Sequence, residues 1–137
     1  MGAYMNATFD GRLNEDKLKS LRDKWKGKFI LKGVANEVDA EVAMKVGCDA
    51  IICSNHGGRQ LDHGESSIKP MSRIAKKFGD KIEIIMDSGI RSAPDIVSSI
   101  ANGAKFTFLG RTFMYGVGAL GDEGGNHTIS MLKASFN

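Results

Sequence analysis

Four short apolar runs, at residues 29–32, 50–54, 82–86 and 106–109, each break off in polar residues and glycine, with helical patterns between them. Runs of this length bounded by turn residues read as buried strands. Parallel neighbours need crossover connections of a dozen residues or more, usually containing a helix. Every interval here is long enough for one. The alternation therefore restricts the chain to parallel α/β organisation. Four strands would make half of a TIM (β/α)8 barrel.

The intervening patterns carry their own start and stop signals. Asn14 sits at a helix cap, acids follow at Glu15 and Asp16, and Leu18, Leu21, Arg22 and Trp25 fall at helical spacing, so 14–25 reads as an amphipathic helix stopped by Gly27. A second helix spans 37–46 and is closed by Gly47. Ser66 or Ser67 caps a third through Phe78, with Ile68, Met71, Ile74 and Ala75 on one face and Gly79 at its end. Ser92 and Pro94 open a fourth to Ala101, ahead of Gly103. A short helix, a glycine-rich break over 121–125 and a final helix to about Phe136 complete the chain. Residues 5–12 read as polar and irregular.

Composition narrows the function classes. At 137 residues, with 42% hydrophobic and 26% charged residues, the chain suits one modest core. The net charge of +3 is spread among acids, with no basic stripe and stacking aromatics, which argues against nucleic-acid binding. Cys48 and Cys53 read as buried small hydrophobes, a reduced cytosolic setting is the expectation, and the dispersed methionines read as core filler. No apolar run reaches the length of a membrane span or of a signal-peptide h-region. His56, Asp62 and His63 match no metal-ligand spacing, so no metal is expected.

The polar residues that look functional, Lys32, His56, Arg59, Asp87, Arg91 and Arg111, lie at or beyond the carboxyl ends of the strands, where such barrels keep their active sites. The stretch 51–62, IICSNHGGRQLD, delivers an imidazole and then a guanidinium. A histidine takes a proton near neutral pH, and an arginine holds a carboxylate through two parallel hydrogen bonds. Local composition alone also allows a solvated loop histidine. Asp87-Ser88-Gly89-Ile90-Arg91 feeds a helix start, and Gly110-Arg111 follows the next strand. Glycines let backbone N–H groups approach an anion, and two arginines fork onto phosphate oxygens. Each loop taken singly also reads as a turn, and Lys32 alone as a lysine reaching for solvent.

The string SNHGGRQLD closely resembles the signature of the FMN-dependent 2-hydroxy acid oxidoreductases, the family of glycolate oxidase, L-lactate dehydrogenase and mandelate dehydrogenase. The resemblance implies that His56 is the catalytic base and Arg59 the clamp on the substrate carboxylate. DSGIR and GR match the family motifs that hold the FMN phosphate, which carries over Asp87, Ser88, Gly89, Arg91, Gly110 and Arg111. Lys32, in ILKG, matches the lysine against the flavin ring, and Ser54 carries over as a flavin contact. Ser88 and GRTFMYG are more like the lactate and mandelate dehydrogenase branch than glycolate oxidase, a branch in which membrane association also occurs.

The resemblance covers the family's last four strand–helix units, so residues 1–137 are expected to form a single half-barrel domain, strands 5 to 8. A full domain is expected to be about twice as long, because a barrel needs eight strands. The missing strands supply the family's substrate-side tyrosine, the carboxylate that pairs with the histidine and backbone around the flavin ring; Tyr4 and Tyr115 do not sit in matching motifs. A half barrel exposes two edge strands and the apolar inner face of its sheet, which favours a homodimer or association with the N-terminal half. The implied activity is oxidation of an L-2-hydroxy acid, such as lactate or mandelate, to the 2-oxo acid. The alternatives are a noncatalytic flavin- or phosphate-binding module that self-associates, and another phosphate-binding barrel enzyme.

Overall fold

The first helix, α1 (Glu15–Lys24), begins where the Asn14 side chain accepts the Lys17 N–H at 2.9 Å, as its cap position requires. The chain is described here by a computed structural model covering residues 13–136; the expectation for residues 5–12 lies outside that range. Strand β1 (Ile30–Val34) follows, then α2 (Glu37–Val46), closed by Gly47 in the left-handed conformation. Next come β2 (Ala50–Cys53), a 3-10 turn over His56–Gly58, and α3 (Ile68–Phe78). Strand β3 (Glu83–Met86), α4 (Ala93–Ala101) and β4 (Phe106–Thr107) complete the alternation. Helices α5 (Arg111–Leu120) and α6 (Gly124–Ala134) form a closing pair.

The strands make one four-stranded parallel sheet in the order β1-β2-β3-β4. Strand order equal to chain order, with a helix in every crossover, is half of the eight-stranded (β/α)8 arrangement. Adjacent residues in a strand point to opposite faces of the sheet. One face carries Val34, Ile51, Cys53, Ile84 and Met86, which pack with Ala40 and Ala43 of α2 and Met71, Ile74 and Phe78 of α3 into the main core. Burying an isoleucine of this kind contributes about 1.5–3 kcal/mol.

On the opposite face Ala50 and Ile52 of the inner strand β2 are buried, but the outer strands are open among the described residues. Ile30 is 45% exposed, Phe106 58% and Phe108 48%, and the two phenylalanines meet edge to face with ring centroids 5.4 Å apart. Among the described residues both outer strands, β1 and β4, lack a neighbour on one side.

Several local expectations shift for physical reasons. Strand β1 runs on to Val34 because Gly33, at φ +97°, lets the ladder slip between Lys32 and Val34. Strand β4 is confined to two residues, paired only with β3. Ser67 does not cap α3 with its side chain: its backbone is already helical, and its hydroxyl instead accepts the Asn55 N–H at 3.0 Å. Of the spaced residues on α1 only Leu18 is buried; Leu21 and Trp25 are exposed, and the Trp25 indole donates to the Lys28 carbonyl at 2.8 Å. Met71 and Met86 fill the core as expected, whereas Met114 and Met131 are exposed.

The glycine-rich break contracts to a 3-10 turn over Gly121–Glu123, and Gly124 already belongs to α6. Gly124 is needed where α5 and α6 cross. A Cβ on Gly116 would lie 2.7 Å from the Gly124 carbonyl oxygen, so the two backbones touch.

Candidate active site

Lys32 of β1 and the residues that follow β2 and β3 meet at the carboxyl end of the sheet. Register explains why. Lys32 pairs with Ile52, and Cys53 with Met86, so Ser54 and Asp87 come next on adjacent strands and face the uncovered side. The Lys32 ammonium reaches Asp87 Oδ2 at 2.9 Å and donates to Ser54 Oγ at 3.1 Å. Ser88 donates its hydroxyl proton to Asp87 Oδ1 at 2.7 Å and lies 3.3 Å from Ser54 Oγ. Burial works against ionisation of Asp87. The hydroxyl of Ser54, the Lys32 ammonium and the hydroxyl of Ser88 outweigh it and hold the carboxyl below its ordinary value.

This cluster grips the turn that carries His56. The His56 N–H donates to Ser54 Oγ at 3.0 Å, and the Gly57 N–H is shared between Asn55 Oδ1 at 3.0 Å and Ser88 Oγ at 3.1 Å. Arg111, the first residue of α5, donates from Nη2 to the Gly57 carbonyl at 2.8 Å. His56 and Ser88 are the non-glycine residues with positive φ, at 57° and 77°, among the described residues. Strained backbone of this sort gathers at functional sites when surrounding bonds hold it. The His56 imidazole is exposed and has no hydrogen-bond partner among the described residues. Arg59 ends the turn, its N–H bonded to the His56 carbonyl at 3.3 Å and its side chain exposed.

The two arginine loops differ. At α4 the Asp95 carboxylate accepts the N–H groups of Arg91 and Ser92 and the Ser92 hydroxyl, all at 2.8–2.9 Å, so that helix end already holds an anion. At α5 the cap residue is Gly110, with no side-chain cap. A Cβ on Gly89 or Gly110 would meet nothing within 4 Å, so both loops border open space. Arg91 and Arg111 are exposed beside it. The geometry thus joins Lys32, Ser54, His56, Asp87, Ser88 and Arg111 by hydrogen bonds, and leaves Arg59, Gly89, Arg91 and Gly110 on the rim.

Sequence reasoning gave Ser67 the role of a helix cap and missed those of Asn55 and Asp95; all three hold backbone. The spacing from Ser92 to Asp95, a hydroxyl followed three residues later by an acid, is a capping-box signal that identifies the last of these. No group of residues able to hold a metal ion occurs among those described, and no helix among them is long and apolar enough to cross a membrane.

Known proteins share this fold over part of their length. An L-lactate dehydrogenase of Caulobacter sp. (strain K31) is 41% identical over 130 residues, which is 95% of this chain and 34% of that protein. An FMN-dependent alpha-hydroxy acid dehydrogenase of Schizosaccharomyces pombe is 43% identical over 115 residues, 84% of this chain and 28% of that one. Among solved structures, the monotopic membrane protein (S)-mandelate dehydrogenase superposes with a TM-score of 0.90 at 37% identity, covering 98% of this chain and 36% of that chain. A soluble mutant of the membrane-associated enzyme from Pseudomonas putida gives 0.88. The chain thus spans about a third of the length of these relatives, less than the half expected for a barrel cut in two. The model of the FMN-dependent dehydrogenases matches residues 1–137, and with this fold and these relatives the chain belongs to that family.

Proposed function

We propose that this chain forms the cofactor-phosphate and substrate-carboxylate side of an FMN-dependent oxidoreductase that converts an L-2-hydroxy acid to the 2-oxo acid. The observation that carries the reading is the hydrogen-bonded cluster of Lys32, Ser54, Asp87 and Ser88, tied to the His56 turn at the carboxyl end of the sheet. Residues 1–137 correspond to strands 5 to 8 of the family's barrel as a single unit.

The open loops at Gly89 and Gly110, with Arg91 and Arg111 beside them, suit the phosphate of FMN. The α5 end is the better seat, since Asp95 fills that of α4. FMN, when bound, supplies the two-electron acceptor. Lys32 brings a positive charge to its edge, held in place by Asp87 and Ser54. Arg59 is free to clamp the substrate carboxylate by a fork of two hydrogen bonds. His56 takes the proton that leaves the substrate as it is oxidised.

The same structure supports a further part of the proposal. Two free strand edges and an apolar open face call for a second parallel sheet, supplied by another copy of the chain or by the family's N-terminal half. A noncatalytic flavin-binding half barrel is the second reading, favoured by the absence of a carboxylate against the His56 imidazole among the described residues.

The test is an FMN titration followed by anaerobic L-lactate and L-mandelate, with light-scattering mass on the same sample. Flavin binding with bleaching of its absorbance is the expected result in an associated species. Binding without bleaching leaves the noncatalytic module, and no binding overturns both readings. A monomeric mass at micromolar concentration counts against self-association.

A further inference from the structure

Ser88 occupies backbone at φ +77°, beside Gly89 at φ +81°. Glycine enters this region without steric cost, whereas a serine there carries strain. What serine adds is a hydroxyl, whose one proton is given to Asp87 and whose oxygen already accepts from Gly57. It donates to Asp87 Oδ1 at 2.7 Å, accepts the Gly57 N–H at 3.1 Å, and lies 3.3 Å from Ser54 Oγ.

The bonds at Gly57 differ in reach. Asn55 Oδ1 accepts the same N–H at 3.0 Å, but from two residues away, and so shapes the turn without placing it. Ser88 comes from the loop after β3, across 31 positions of chain, and fixes the turn relative to the Lys32–Asp87 pair. Arg111 adds a bond to the Gly57 carbonyl from α5, 54 positions away. The His56–Gly57 segment, itself strained at His56, is therefore placed from outside by Ser88 on its N–H side and Arg111 on its C=O side.

We infer that Ser88 is a positioning residue that latches the His56 turn to the Asp87 carboxylate, rather than a contact for the cofactor phosphate. Its consequence for turnover rests on the proposed function, since that reading makes His56 the base. The latch itself is a property of the flavin-free chain. Its hydroxyl is already committed to Asp87 and Gly57, which leaves phosphate recognition to Gly110 and the arginines.

The test uses Ser88→Gly and Ser88→Ala in the flavin-free protein. Replacement by glycine removes hydroxyl and strain together, and replacement by alanine removes only the hydroxyl. By NMR, the Gly57 amide is expected to exchange with water about fivefold faster in both variants, in proportion to one hydrogen bond. The heteronuclear NOE of the His56 amide falls with it, while amides of β2 and α3 keep their rates. The thermal midpoint of Ser88→Gly stays above that of Ser88→Ala, since both lose the hydroxyl and only glycine relieves the strain at this φ. A Gly57 exchange rate within twofold of wild type in Ser88→Gly, with an unaltered His56 NOE, overturns the latch. If Ser88→Ala does not fold, the glycine variant decides alone. Because no flavin is present, failure here is distinct from failure of the proposed function, which the FMN titration reads.

Discussion

The two faces of the sheet are built from the same strands in alternation and meet different fates. On one, Ile51, Cys53, Ile84 and Met86 are sealed beneath α2 and α3. On the other, Ile30, Phe106 and Phe108 are about half exposed, and the cluster of Lys32, Ser54 and Asp87 lies at the carboxyl end. Period-two alternation gives both faces apolar residues, but only one is covered by helices among the described residues. The difference teaches that the candidate site lies on the face left open among the described residues. Parallel sheets usually have both faces covered, and among the described residues the face that carries the candidate site has no second layer.

The largest contrast should appear in thiol chemistry. Burial pushes the Cys53 thiol up to about 12, with the Asp87 charge adding to it. At pH 8, Cys53 should therefore react with a thiol reagent about a thousandfold more slowly than a free thiol, whose pKa is about 8.5. Mass spectrometry of timed alkylation would show it. Fast labelling of Cys53 would break the comparison, because it would mean that the covered face opens.

Next in size is a pair of truncations. Ile84→Ala, on the sealed face, should cost about 2–5 kcal/mol in urea unfolding. Phe106→Ala, on the open face, should cost less than about 0.5 kcal/mol in the isolated chain. A cost for Phe106→Ala that approaches the Ile84 value and grows with protein concentration would instead mark the open face as covered by a second copy.

The smallest effect sharpens the polar end of that face. The folded-state value of Asp87 lies below its unfolded value, so its stabilising contribution is present above about pH 4 and is lost as pH falls through the folded value. Asp87→Asn should lower stability by about 1 kcal/mol at pH 7, discounted because Lys32 is half exposed. Wild type and variant should converge as pH falls through the folded-state value of Asp87. Denaturant midpoints from pH 7 down into the acid range would check this, and a gap that does not narrow at any pH below about 4 would rule out the ion pair as its source.

Much of this architecture was legible in the chain. The span of α2 and its closing Gly47, the end of α3 at Phe78 and the extent of α4 follow from caps and periodicity, which act within a few residues. The candidate residues could be located at the strand ends for the same reason. Less legible were the helix faces that find nothing to pack against. Leu21 and Trp25 have the spacing of core residues, yet α1 lies beside the unpaired β1 edge and leaves them exposed.

What the sequence determined by itself was the order of elements, the parallel half barrel and the motif residues at its carboxyl end, since each is written in contiguous patterns. Only the tertiary structure decided how those residues are used. It turned the Ser67 hydroxyl from a cap into a brace for Asn55, filled the α4 end with Asp95, and set Ser88 and Arg111 on the two sides of Gly57. These bonds join positions 12 to 54 residues apart, apart from the local Asp95 cap. A hydroxyl or guanidinium can bond to any suitable group within reach, and which group that is depends on the strand register and loop geometry that folding brings about.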